Sequence, residues 1–249
     1  MRLHYVQHVP FEDAGNIAVW AAERGHTVTR TRLYEGEAFP RQDQFDWLVI
    51  MGGPMNVYEY DLYHWLLREK QFILETLQRG AAAIGVCLGA QLIADVMGGR
   101  VTRNKHKEIG WFPVTLTSEA IRSPLLGRFP RKFTAFHWHG DTFSIPPGAT
   151  RLGDSEACDN QGFILGNRVV GLQFHLDYSV EGIRTMIAQC GTELVENPFI
   201  QAPVQMLADP GRVESACGLL YRLLDTIELQ MPQSGSWPSA AAPPPRVPH

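Results

Sequence analysis

Five apolar residues, Ala82 to Val86, pass directly into Cys87-Leu88-Gly89 and then into a helical pattern over Ala90 to Met97 that Gly98-Gly99 stops. A strand that becomes a helix within three residues has few solutions: the chain must turn sharply at Cys87. The pattern Gly85-x-Cys87-x-Gly89 has a steric reason, because such a turn brings neighbouring backbone so close that a β-carbon on either side does not fit. Held this way, the thiol stands above the strand end. The N–H groups opening the next helix then face it and can stabilise developing negative charge.

The rest of the chain supplies partners for that strand. Arg2 to His8 reads as a first strand and Ile17 to Arg24 as a short helix, followed by an edge-like alternation from His26 to Arg32. Phe45 to Met51 is an almost unbroken apolar run closed by Gly52-Gly53-Pro54, the pattern of a parallel strand covered on both faces. Asp61 is placed to cap a helix reaching Gly80, and Val169 to Phe174 is a late strand leading to a helix over Tyr178 to Cys190. Between Arg100 and about Val170 the β-like runs are short and broken by Gly, Pro and Asp, which predicts a smaller antiparallel portion. Alternating strands and helices without a linker predict one α/β domain over residues 1–195. An amphipathic helix, Arg212 to Leu229, forms an extension over 196–230, with an apolar face that must dock on this body or on a second subunit, as in a homodimer. The Pro- and Ala-rich tail, 231–249, has little to bury and is expected to lack regular structure.

Several function classes are disfavoured. A net charge of -4 with scattered Lys and Arg gives no footprint for nucleic acid. No apolar run approaches the roughly 18 residues of a membrane helix, and the amino-terminal segment lacks the continuous apolar stretch of a signal peptide, so a cytoplasmic location is expected. Cys87, Cys158, Cys190 and Cys217 are far apart and read as free thiols. No spacing matches a structural zinc site, and no metal or organic cofactor is implied.

The second half of a site lies at the end of the late strand, in Gln173-Phe174-His175-Leu176-Asp177. Residues two apart in an extended stretch point the same way, so Asp177 can orient the His175 imidazole that takes the thiol proton. Gly52-Gly53 ends another strand and can expose an N–H beside the cysteine, since sites in open parallel sheets lie beyond the carboxyl ends of their strands.

Together these segments resemble the class I (triad) glutamine amidotransferases, in particular the glutaminase domain of GMP synthetase. Gly85-Val86-Cys87-Leu88-Gly89-Ala90-Gln91, Gly52-Gly53-Pro54 and Gln173-Phe174-His175 match the family's three motifs, and Gly98-Gly99, Glu108-Ile109-Gly110, His139-Gly140-Asp141 and Pro146-Pro147-Gly148 follow in the same order. The resemblance implies a flavodoxin-like α/β fold, an open mostly parallel sheet flanked by helices, and cysteine-dependent hydrolysis of a γ-glutamyl amide through a glutamyl thioester. It implies Cys87 as nucleophile, His175 as base, the N–H groups of Gly53 and Leu88 as oxyanion hole, and Gly52, Gln91 and His139 as substrate-binding residues. Two departures stand out. The histidine motif continues Leu176-Asp177 where the family has Pro-Glu, and the chain carries no Gly-x-x-x-x-Gly-Lys-Ser/Thr loop. Any ammonia acceptor is therefore expected on a separate synthetase subunit, unless the substrate is a γ-glutamyl peptide. The opposing expectation is a binding module that kept the fold without the chemistry.

Overall fold

The five strands read from the sequence between Arg2 and Val86 and at Val169 to Phe174 converge on one sheet. The computed structural model describes residues 1–231; the tail expected from 231 onward lies, apart from Met231, outside the described residues. The large sheet contains β1 (Arg2–Gln7), β2 (Thr27–Arg32), β3 (Trp47–Ile50), β4 (Ala82–Val86), β7 (Thr150–Arg151), β9 (Gly162–Leu165) and β10 (Val169–Leu172), in the order β2-β1-β3-β4-β10-β9-β7. The first five in that order run parallel; β9 pairs antiparallel with β10, and β7 pairs antiparallel with β9. A second sheet of β5 (Val101–Leu116), β6 (Lys132–Phe143) and β8 (Gly153–Asp154) is antiparallel, in the order β6-β5-β8. The architecture is thus α/β and flavodoxin-like, with a smaller antiparallel portion.

Period-two alternation divides the core. Trp47 and Val49 of β3, with Ala82, Ile84 and Val86 of β4, point into one apolar cluster; Leu48, Ile50 and Ala83 point into another. On the first face lie α1 (Gly15–Glu23) and α7 (Gly211–Leu229); on the second lie α2 (Leu66–Gln78) and α3 (Leu88–Val96). Short α4 (Ser118–Arg122), α5 (Val180–Cys190) and short α6 (Pro203–Met206) complete the helices. The apolar face of α7 docks on this body: Leu220, Leu223, Leu224 and Ile227 are buried in the cluster that contains Trp20. At its edge, Trp20 Nε1 donates to Asp225 Oδ1 at 2.8 Å, and Arg24 pairs with the same carboxylate.

Three local expectations need correction. Asp61 does not cap a helix: residues 59–66 form consecutive turns closed by Tyr63 N–H to Glu59 C=O and Leu66 N–H to Tyr63 C=O, and α2 begins only at Leu66. Leu62, which matched the helical spacing, is 71% exposed, so the apolar face starts later than the periodicity suggests. The helix after Cys87 begins at Leu88 rather than Ala90, and β5 extends back to Val101 through a charged stretch whose register shifts between Arg103 and Glu108.

The two sheets meet where the site forms. His175 N–H donates to Phe136 C=O at 2.7 Å and Phe136 N–H to His175 C=O at 3.2 Å, so a rung of β6 pins the chain just after β10.

Candidate active site

Parallel alignment brings the carboxyl ends of β1, β3, β4 and β10 to one side, and their continuations are His8, Gly52-Gly53, Cys87 and Gln173 to Asp177. Cys87 takes φ 51° and ψ −106° and is the one non-glycine residue with positive φ among the described residues. The flanking glycines are required. A β-carbon on Gly85 would lie 2.6 Å from Ala90 N, and one on Gly89 would lie 2.6 Å from the carbonyl carbon of Ile50. The Cys87 N–H is held by Leu172 C=O at 2.8 Å, which locks the elbow to the end of β10.

Around the sulfur, the Gln173 side-chain amide donates to Sγ at 3.6 Å, and Gln91 Nε2 donates to Gln173 Oε1 at 3.1 Å. The Trp138 carbonyl is 3.6 Å from Sγ on the other side. His175 Nδ1 is 3.2 Å from Asp177 Oδ1, and both side chains are buried. The shorter acid therefore reaches the ring. Burial of His175 opposes its charged form, but the Asp177 carboxylate and the Cys87 thiol group outweigh it and raise its pKa to about 10. Asp177 is itself anchored, its carbonyl accepting the Asn16 N–H at 2.8 Å from the first turn of α1.

Gly53 and Leu88 are neighbours: a β-carbon on Gly53 would lie 3.2 Å from Leu88 Cδ2 and 3.0 Å from both His8 Cβ and Met55 Sδ. Leu88 opens α3, so its N–H belongs to the first turn, which has no intrahelical acceptor. The Gly52 carbonyl is turned away, accepting from His8 Nδ1 at 3.0 Å, while His8 Nε2 is 2.8 Å from Glu69 Oε1 in a fully buried pair. Burial opposes charging of His8, and the Glu69 carboxylate more than compensates, raising its pKa.

Sequence reasoning missed Glu12. This carboxyl, 6% exposed, comes from the loop after β1 and accepts the Tyr178 hydroxyl at 3.2 Å. It packs against Gly52, on the same side from which His175 Cε1 comes within 3.4 Å of where a β-carbon would be. Burial raises its pKa, as does the Asp177 carboxylate, while His175 pulls the other way. Its segment has no periodicity, so no sequence signal marked it. Tyr178 also stacks on His175, with ring centroids 4.5 Å apart.

Cys87 opens on a cavity of about 190 Å³ lined by Glu12, Gly53, Gln91, His139 and Asp141, together with Arg103 and Lys107. His139 reaches this wall, but its ring is held by Glu108 and by the Asp141 carbonyl. The Cys158, Cys190 and Cys217 thiols are free and lie outside the elbow. Burial raises the pKa of each.

A parallel α/β sheet with a cysteine elbow at its carboxyl edge defines an amidotransferase-type scaffold. The chain belongs to the class-I glutamine amidotransferase family, whose family model matches residues 14–192. It is 36% identical to the glutamine amidotransferase-like protein YfeJ of Salmonella typhimurium, over 92% of this chain and 98% of that one. The crystal structure of a glutamine amidotransferase from Thermotoga maritima shares 34% identity, covers 92% of this chain and 98% of its own, and superposes with a TM-score of 0.83. GMP synthase of Aeropyrum pernix is 33% identical over 56% of this chain but only 25% of its own length. This chain thus resembles the glutaminase domains of GMP synthases.

Proposed function

We propose that this protein hydrolyses a γ-glutamyl amide by a Cys87-dependent route. The observation that carries the reading is the Cys87 elbow, which lines a small polar cavity, together with the buried His175–Asp177 pair that interacts with its thiol group. In this reading His175 takes the thiol proton and Cys87 Sγ adds to the γ-carbonyl carbon. The resulting oxyanion is received by the N–H groups of Gly53 and Leu88. Collapse of the adduct expels ammonia or an amine, protonated by His175, and leaves a glutamyl thioester. Water then attacks the thioester with His175 as base, releasing glutamate and restoring the thiol.

The cavity suits one glutamyl unit better than a drug-sized ligand, for which pockets run from roughly 300 Å³ upward. Arg103 offers positive charge for an α-carboxylate, beside a Lys107 already paired with Glu193; Asp141 and Glu12 offer acceptors for an α-ammonium, with Gln91 and His139 lining the same cavity and Gly52 packed against Glu12. The relatives named GMP synthase pair such a portion with far longer chains, which supports a separate acceptor subunit when glutamine is the ammonia source. Free glutamine is then a poor substrate for the isolated protein, whereas a γ-glutamyl peptide, whose amine leaves into water, needs no partner.

The test is glutamate release from glutamine and from a panel of γ-glutamyl dipeptides and thiol conjugates, with Cys87→Ala as control. Mass spectrometry of protein treated with an electrophilic glutamine analogue complements it. Cys87-dependent release with labelling of Cys87 supports the reading. No release from any substrate together with no labelling sinks it, in favour of a module that retains the fold without the chemistry.

A further inference from the structure

The antiparallel pair β5·β6 places Glu108 opposite His139 and Gly110 opposite His137. His137 and His139, two apart on one strand, face the same side of the sheet. One ligand atom from each of Glu108, His137 and His139 lies within 4.8 Å of the others, and the three side chains are at most 1% exposed.

The hydrogen bonding inside this cluster does not close. His139 Nδ1 is 3.0 Å from the Asp141 carbonyl oxygen, which accepts only, so Nδ1 carries the hydrogen. In the neutral ring Nε2 then presents a lone pair, and 3.2 Å away it meets another acceptor, Glu108 Oε2. His137 is no better served: its Nδ1 faces the Glu108 carboxylate at 3.4 Å and its ring lies near the Phe112 backbone, but neither nitrogen makes a well-formed hydrogen bond, and Glu108 Oε1 has no partner. A buried imidazole so poorly satisfied is rare and calls for an explanation.

We propose that Glu108, His137 and His139 form a binding site for one divalent cation of the zinc class. Two imidazoles and one carboxylate are a borderline-soft donor set that zinc-type ions take in preference to calcium or magnesium. Tetrahedral coordination with bonds of about 2.0–2.1 Å sets donor–donor edges near 3.3–3.4 Å. Glu108 Oε2 lies 3.2 Å from His139 Nε2 and 3.4 Å from His137 Nδ1. Outer partners of such ligands are also present: the Asp141 carbonyl orients His139, while Ser155 Oγ at 3.0 Å and Gln161 Nε2 at 2.6 Å both donate to Glu108 Oε2 and fix the carboxylate, leaving Oε1 free to turn toward an ion. A cation here ties β5 to β6 directly behind Trp138, whose carbonyl borders the Cys87 sulfur. A shared proton is the competing way to reconcile the facing acceptors, and it predicts no metal uptake.

The experiment uses the full chain, stripped with a chelator and titrated with cobalt(II) and then zinc(II). Expected is one equivalent of cobalt, with weak visible bands and no intense sulfur-to-metal band, displaced by zinc, with zinc raising the melting temperature. His137→Phe, in a niche already lined by Phe112 and Phe174, removes two poorly satisfied nitrogens. It should fold at least as stably as metal-free wild type and lose cobalt affinity by more than the ~10–100-fold that outer partners are worth. Glu108→Gln gives a second reading of the same loss, and Cys87→Ala should bind normally. Uptake below about 0.1 equivalents, an intense sulfur band, or binding undiminished in both ligand variants overturns the site.

Discussion

Two buried imidazole–carboxylate pairs flank Gly52-Gly53, and they are built for opposite ends. In His8–Glu69 both ring nitrogens are engaged, one by the Gly52 carbonyl and one by the carboxylate, and neither side chain is exposed. In His175–Asp177 the carboxylate holds one nitrogen and the opposite side of the ring faces Cys87. The first pair is closed and can only hold the Gly52 turn in place. The second is open toward Cys87, the side on which the proposed mechanism exchanges a proton. A histidine's burial and acidic partner therefore do not separate a structural role from a chemical one; the unoccupied nitrogen does.

The comparison can be broken experimentally. Cys87→Ala, with little change in folding, or His175→Gln, compared per folded molecule, should lower turnover of a γ-glutamyl substrate by about 10³-fold or more; a residual rate within tenfold of wild type would remove the open pair from the chemistry. Glu69→Ala should do the reverse. Breaking the closed pair strands His8 and should lower unfolding free energy in urea by about 3–5 kcal/mol, with turnover per folded molecule within about twofold of wild type.

Asp177→Asn should lower turnover by about tenfold or more, because the imidazole loses the partner that fixes its tautomer. Asp177→Glu sharpens the point, since a rise in rate would show that the shorter acid, although within 3.2 Å, is a handicap. The smallest effect is a pH dependence. His175 is raised to about 10, so its contribution to stability is fully present below about 6.5 and fades as pH rises through the folded value. The unfolding free-energy difference between wild type and His175→Gln should shrink between those limits. A constant difference would mean that the ring is not charged in the folded protein.

The sequence carried most of the sheet and the centre of the site, for a local reason. Gly85, Cys87 and Gly89 act within one turn, and His175 and Asp177 within one extended stretch, so adjacency in sequence is adjacency in space. What stayed hidden depends on pairing between distant segments. Glu12 meets Tyr178 across 166 positions, and Glu108 meets His139 only because β5 pairs with β6 after a register shift. The charged run from Arg103 to Lys107 disguised the start of β5 because none of its residues is buried. The α2 boundary was misplaced for a related reason, as Leu62 matched the spacing of a face it does not share.

The backbone at Cys87, with φ 51° and ψ −106°, carries a penalty of about 1–3 kcal/mol that glycine would not. Selection for stability and selection for thiol chemistry therefore pull against each other at a single codon. A lineage released from the chemistry gains a firmer fold simply by drifting to glycine there, with no compensating change elsewhere. Cys87→Gly is therefore expected to relieve the backbone penalty while removing the thiol, which a higher urea midpoint than that of Cys87→Ala would show.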